Sequence, residues 1–427
     1  MKMNAAIVVT ASGLLAMLGI LAQFSYSVRQ ESLTAFYVHL LLLGFGGLCC
    51  AATAAGNYQW LRSARVSWAL LGLALVLLLA VFVPGIGISR NNAARWLALG
   101  QPSEFAKLAL IVFLAGYGAR QEERSSAFVS GFVVPAAAAG AIVVLVFREP
   151  DWGSAALLAA LTLAMLSAAG VRWRYLLPTV AAGSLIFAYQ LSHNTTHQNR
   201  VLSFMHPEKF RNGPGWQNWH AIIALGAGGP VGEGSGMGSM KNGFIPEQQS
   251  DFVLSIIGQE LGLAGTLLVL MLYAAIAIAG ARIALQSSCR FGRLLAFGVT
   301  FLIGLQAFIN IGVVTSVLPN KGIALPLVSH GGSNIIVVCI ALGLLISVAR
   351  RSPVLEPAEN SKLIETPRTR FAGPAGSLLV NSTQPPARGL WRRLARWQRA
   401  RRFRAEPLHG YQKWPIGNVQ RPSNVEN

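Results

Sequence analysis

Charge is scarce in this chain, and acid is scarcest. Of 427 residues 16 are Asp or Glu against 35 Lys and Arg, and the four charged types together make up 12% of the sequence. A soluble domain carries roughly 25%. The shortfall excludes one and, with 53% hydrophobic residues and a mean hydropathy of +0.50, leaves a polytopic membrane protein. Cysteine is nearly absent as well. Cys49 and Cys50 adjoin within one apolar run, Cys339 lies in another, and Cys289 sits in a short basic loop. That placement excludes a disulfide framework, and the thiols read as small apolar side chains. No internal repeat and no stretch of soluble-domain composition is present.

The positive surplus is unevenly spread. Fifteen of the 35 basic residues and five of the 16 acids fall from Arg350 onward, so the end of the chain supplies +10 of the net +19. A basic segment beside a membrane meets anionic lipid, and nucleic acid is not expected as a partner. Residues 352–387, rich in Pro, Ser and Thr, read as a disordered linker. In the basic tail, 388–427, residues 388–404 put Trp391, Leu394, Ala395, Gln398 and Arg402 on one helical row. That row predicts an imperfect membrane-surface helix.

What the chain has in abundance is long apolar runs. Ten have spanning length, at about 5–24, 35–55, 67–87, 103–119, 126–147, 152–170, 174–191, 251–282, 292–317 and 330–349. They are continuous rather than alternating, and a helix satisfies its backbone internally within lipid. The expected fold is therefore all-α, with about ten transmembrane helices. The first run is longer than a signal-peptide core and no small-x-small cleavage site follows, so it reads as the first span. With both termini cytoplasmic, the short inner loops and Lys2 hold ten basic residues, and the outer ones hold five. The positive-inside rule favours that orientation. It places one long extracytoplasmic loop, residues 191 to about 250, between helices 7 and 8.

Four clusters carry polar residues where lipid-facing helices would not. Glu104 and Lys107 in Gln101-Pro102-Ser103-Glu104-Phe105-Ala106-Lys107 are three apart, on one helix face, and can pair. They are read either as a lock between helices or as part of a substrate cavity. Asp151 in Arg148-Glu149-Pro150-Asp151 opens the sixth run and suits a helix cap. The long loop holds Arg200, Phe204, Pro207, Gln217, seven glycines from Gly226 to Gly238, then Pro246, Glu247 and Asp251. Glycines let a backbone approach a ligand and form N–H concavities for anions. Beside a basic residue and a carboxylate, they point to a phosphate-bearing substrate. The fourth cluster runs from Asn310 through Leu318-Pro319-Asn320-Lys321-Gly322 to Ser329-His330-Gly331-Gly332-Ser333-Asn334 and reads as a broken, re-entrant turn. Asp251 stands out, because an ionisable group at a membrane rim needs a partner or a task.

The order and spacing of these clusters resemble the SEDS family (shape, elongation, division and sporulation). The residues carrying the resemblance are Ala94-Arg95-Trp96, Gln101-Pro102-Ser103-Glu104 with Lys107, and Pro150-Asp151-Trp152-Gly153-Ser154-Ala155. They continue with Arg200, Phe204 and Pro207, the glycine run, Pro246-Glu247 with Ser250-Asp251-Phe252, and Gly258-Gln259-Glu260-Leu261-Gly262. Last come Leu318-Pro319 with Lys321-Gly322, and Leu325-Pro326 with Ser329 to Asn334. The match runs from the first span to about Arg351 and leaves out the tail. The Lys321-Gly322 pair is nearer the family's division branch than its elongation branch.

The resemblance implies a ten-helix peptidoglycan glycosyltransferase of the bacterial cytoplasmic membrane, polymerising lipid II on the outer face. It also implies a class B penicillin-binding transpeptidase and other division proteins as partners. The family's essential loop acid matches Asp251, expected as general base. Arg95 and Arg200 are expected on the pyrophosphate, and Glu104, Lys107, Asp151, Gln217, Glu247, Lys321, Ser329 and Ser333 around the substrate. No protein metal site is expected; a divalent cation (Mg or Mn) is left open. A lipid II flippase and a non-catalytic division scaffold are the competing functions. The chain departs from the family pattern at Gln259 for an acid, Glu233 for a Lys, His330 for a Tyr, Asn334 for a Ser, and His220-Ala221 for a Gln-Ser pair.

Overall fold

The computed structural model describes residues 1–351 except 91, 92, 99, 235, 237 and 239–248. The linker expected at 352–387 and the tail with its surface helix at 388–404 lie outside the described residues, as does Glu247.

Each of the ten apolar runs folds as a helix. They are α1 (Lys2–Arg29), α2 (Thr34–Ala55), α3 (Ala64–Ala80), α4 (Pro102–Arg120), α5 (Val134–Arg148), α6 (Trp152–Ala168), α7 (Trp173–His193), α10 (Val253–Gln286), α11 (Arg290–Val314) and α12 (Gly332–Arg351). By length and composition, seven helices among the described residues can cross a membrane, counting α5 with the wide turn ahead of it; α3 and α6 are shorter apolar helices. The loop between α7 and α10 is not bare coil: it folds into α8 (Thr195–Met205) and α9 (Trp216–Ala227). A small antiparallel hairpin, β1 (Ile88–Arg90) and β2 (Ala93–Trp96), lies between α3 and α4 and carries Arg95.

The bundle packs α12 along α2, and α10 against both α1 and α11, while α4 and α12 are buried along most of their length. In lipid, close backbone approach and internal hydrogen bonds hold helices together, since lipid tails are as apolar as the side chains. On α2, Thr53 and Gly46 accordingly meet Gly343 and Cys339 of α12. α7 is the opposite case, with Leu176 its one buried residue.

Two breaks shape one end of the bundle. α10 is interrupted at Gly262, whose φ of +62° suits glycine. A Cβ there would lie 2.5 Å from the amide nitrogen of Gly232, so the break is also where the glycine run docks. Between α11 and α12, residues 316–331 form irregular chain, largely buried from Ile323 to Ser329. Such backbone persists at depth when protein surrounds it.

Candidate active site

The site lies at the end of the bundle where α4, α6, α10 and α12 begin. Asp251 sits just before α10, and three elements fix it. Asn310 on α11 donates both amide hydrogens, one to the Asp251 carbonyl and one to that of Ile323, each at 2.8 Å. This bracket ties the carboxylate-bearing turn to the re-entrant segment. Two residues earlier, the Gln249 carbonyl accepts from Gln23 Nε2 of α1 at 2.8 Å and from the His330 amide at 2.9 Å. The Asp251 carboxylate then lies against Gly322, where a Cβ would come within 2.9 Å of Oδ2.

That contact gives a prediction. The atom met by a new methyl is the end of a flexible side chain, so Gly322→Ala is cheap in stability and displaces the carboxylate itself. A misplacement of about 1 Å costs on the order of 10²-fold in rate. The variant is expected to keep its thermal midpoint and lose turnover, which a paired melt and activity assay would check.

The Asn320-Lys321-Gly322 turn is where the parts of the site meet. Asn320 Nδ2 donates to Gln217 Oε1 at 2.6 Å, and both line a cavity of about 580 Å³ with Asn199, Arg200 and Trp216. Lys321 lies 5.9 Å from the ring centres of Trp152 and Phe187, aromatic faces that attract a cation. Burial and the neighbouring Arg200 push Lys321 down to about 8, against the pull of Asp151. Arg200 is itself lowered by burial and by Arg95. Mutual repulsion of this kind marks cations gathered without enough anions. Among the described residues none of the three forms a salt bridge with a carboxylate.

The remaining expected residues hold this arrangement together. Arg95 donates from Nε to the Glu149 carbonyl at 2.9 Å and from Nη2 to that of Pro150 at 2.5 Å, covering the end of α5. Asp151 caps α6 through Ser154 N at 3.1 Å, and its other oxygen accepts from Gln101 Nε2 at 3.1 Å. The Gln101 amide donates to Ser333 Oγ at 3.1 Å, while Ser329 Oγ accepts from Leu325 N at 2.8 Å inside the re-entrant turn. Glu104 accepts from Lys107 Nζ at one oxygen and from Asn334 Nδ2 at the other, both at 2.7 Å, a buried tie between α4 and α12. Among the described residues no three His, Cys, Asp or Glu side chains group closely enough to hold a metal ion.

The glycine run behaves differently from the expected anion cradle. Its amides at Glu233 and Gly234 donate to the carbonyls of Gln259 and Glu260 at 3.0 and 3.1 Å, and Gly236 N reaches Glu260 Oε1 at 3.2 Å. Glu260 also accepts from Ser25 Oγ of α1 at 2.5 Å. The run is thus a clasp on the first turns of α10, behind Asp251. Two departures from the family pattern meet there, since Gln259 Nε2 donates to Glu233 Oε2 at 2.9 Å. They are one compensated exchange: Gln259→Glu alone would set two carboxylates in contact and cost about 1–3 kcal/mol. Adding Glu233→Lys is expected to restore stability, as a double-mutant melt would show.

A family model of cell cycle proteins, the FtsW/RodA/SpoVE family, matches residues 2–353. This chain belongs to that family. It is 40% identical over 282 residues to the probable peptidoglycan glycosyltransferase FtsW of Geobacter metallireducens, covering 65% of this chain and 75% of that one. Against the protein of the same name from Francisella salina it is 35% identical over 351 residues, 80% and 84% of the two chains. Among solved structures it matches a chain from a peptidoglycan synthase complex with a TM-score of 0.68 at 28% identity, covering 80% of this chain and 96% of that one. The rod shape determining protein RodA of Thermus thermophilus matches with a TM-score of 0.60 at 25% identity, covering 80% and 95%. With its apolar helices, this FtsW/RodA/SpoVE family member is a multi-pass membrane protein.

Sequence inspection missed Gln23 and gave Asn310 no role. The signal for Gln23 was visible in principle, as a lone amide in an apolar run. Its partner, a main-chain carbonyl 226 residues away, was not.

Proposed function

We propose that this chain polymerises lipid II into glycan strands on the outer face of the bacterial cytoplasmic membrane, in cell division. The observation that carries the proposal is the Asp251 carboxylate lodged on Gly322, one residue from Lys321 and its neighbours Arg200 and Arg95. Asp251 takes the proton from the acceptor GlcNAc 4-OH as its oxygen attacks C1 of the donor MurNAc. The bond from C1 to the phosphate oxygen breaks with inversion, and its electrons leave with the pyrophosphate. Arg95, Arg200 and Lys321 meet the leaving charge, and charge-assisted contacts of this kind are strongest in a site shielded from water. A divalent cation, Mg or Mn, would be held through the substrate phosphates and would add positive charge at the leaving group. The polymer is passed to a class B penicillin-binding transpeptidase within the division machinery. The relatives at 35–40% identity, all bearing the FtsW name, support the division role.

Moving lipid II across the bilayer would instead need a polar path between helices. Glu104, Lys107 and Asn334 satisfy one another in a closed tie, which favours chemistry over transport. Full-length protein in liposomes with labelled lipid II and its transpeptidase partner separates the two. Glycan polymer is the expected product; labelled lipid II crossing the bilayer with no polymer formed would overturn the proposal.

A further inference from the structure

Glu149 follows the last residue of α5 and has no part in the scheme above. Its carboxyl is 1% exposed, and neither oxygen has a hydrogen-bond partner among the described residues. A buried carboxylate in that position is strongly disfavoured as an ion, and the group keeps its proton instead. The ionisable groups facing it are Asp151 in the same turn, capping α6, and Arg95 on β2, whose guanidinium bonds to the Glu149 carbonyl. Arg148 precedes it on α5 and is exposed. Lys321 bears on Asp151 from the re-entrant segment, and Arg200 on α8 bears on Arg95. Burial first, and Asp151 second, push the Glu149 carboxyl up to about 8, against the pull of Arg95.

We propose that Glu149 is a positioning residue that sets the charge of the pyrophosphate site. As a neutral acid it leaves Arg95, Arg200 and Lys321 uncompensated for the substrate; as a carboxylate it cancels one of them. The proposal rests on the assignment of those three cations to the pyrophosphate. Among the groups that bear on Glu149, and leaving aside the Asp251 carboxylate beside Gly322, the three stand against Asp151 near neutral pH, a net +2. Above about 8, Glu149 gains a negative charge as Lys321 loses its positive one, and that set falls to zero. Two groups on different elements thus disarm the site over one pH range.

The test uses full-length protein in nanodiscs, with undecaprenyl pyrophosphate binding and the KM for lipid II followed from pH 6.5 to 9.5. Glu149→Gln keeps the shape of the neutral acid and cannot ionise. Wild-type affinity is expected to fall above pH 8 with a slope steeper than one proton, and that of Glu149→Gln with the single slope of Lys321. At pH 9.5 the variant then binds roughly tenfold more tightly than wild type, while at pH 7 the two agree. Equal alkaline slopes would overturn the proposal.

Thermal melts give a second readout. The folded carboxyl holds its proton to about 8, while the unfolded one releases it near 4.5. Wild type therefore loses stability as pH rises through that window, and Glu149→Gln does not. Melting curves with the same pH dependence in both proteins would also overturn the proposal. Binding that follows the expected pattern in a protein making no polymer would keep the charge switch and remove the polymerase assignment.

Discussion

Asp251→Asn is expected to lower kcat for lipid II polymerisation by roughly 10²–10⁴-fold, the usual contribution of a positioned general base. The substitution keeps the shape of the side chain, so the contact with Gly322 and the Asn310 bracket on the main chain survive. KM should change little, because the cations assigned to the pyrophosphate lie on β2, α8 and the re-entrant turn rather than on this residue. A loss confined to kcat is what separates a base from a residue that binds substrate. A rise in KM at unchanged kcat would move Asp251 into the binding set.

Lys107→Met is expected to act on the fold and not on the chemistry. Glu104 and Lys107 are 8% and 2% exposed, and their 2.7 Å contact is closed off by Asn334. Removing one partner of a buried pair leaves the other charge uncompensated, at a cost of about 3–5 kcal/mol. A matching fall in thermal midpoint should follow. Adding Glu104→Gln removes the stranded charge and should recover most of the stability. If the pair instead guided substrate, Lys107→Met would melt like wild type and turn over slowly.

The spans were legible because an apolar run of about 20 residues has few alternatives, and each of the ten runs folds as a helix. Asp151 was equally readable, since an acid ahead of an apolar run is a cap by local geometry alone. What escaped the sequence depended on chain returning from far away. α8 and α9 are short and mixed in polarity, and they form in a segment that reads as loop. The glycine run suggested an anion site, but the amides of Glu233 and Gly234 are taken up by α10 carbonyls that no local pattern reveals. Glu233 and Gln259 read as two separate departures from the family pattern, and only the fold shows their side chains meeting at 2.9 Å. His330 likewise proved to act through its backbone amide, on Gln249, a contact independent of the side chain that departs from the family.

The central claim is that Asp251 moves a proton in sugar–sugar bond formation. Its most direct test is a single-turnover extension with donor lipid II already bound, comparing wild type with Asp251→Asn at equal occupancy. Bond formation by wild type, with none above background from the equally loaded variant, is the predicted result. Extension by both at the same rate would contradict it and place the base elsewhere.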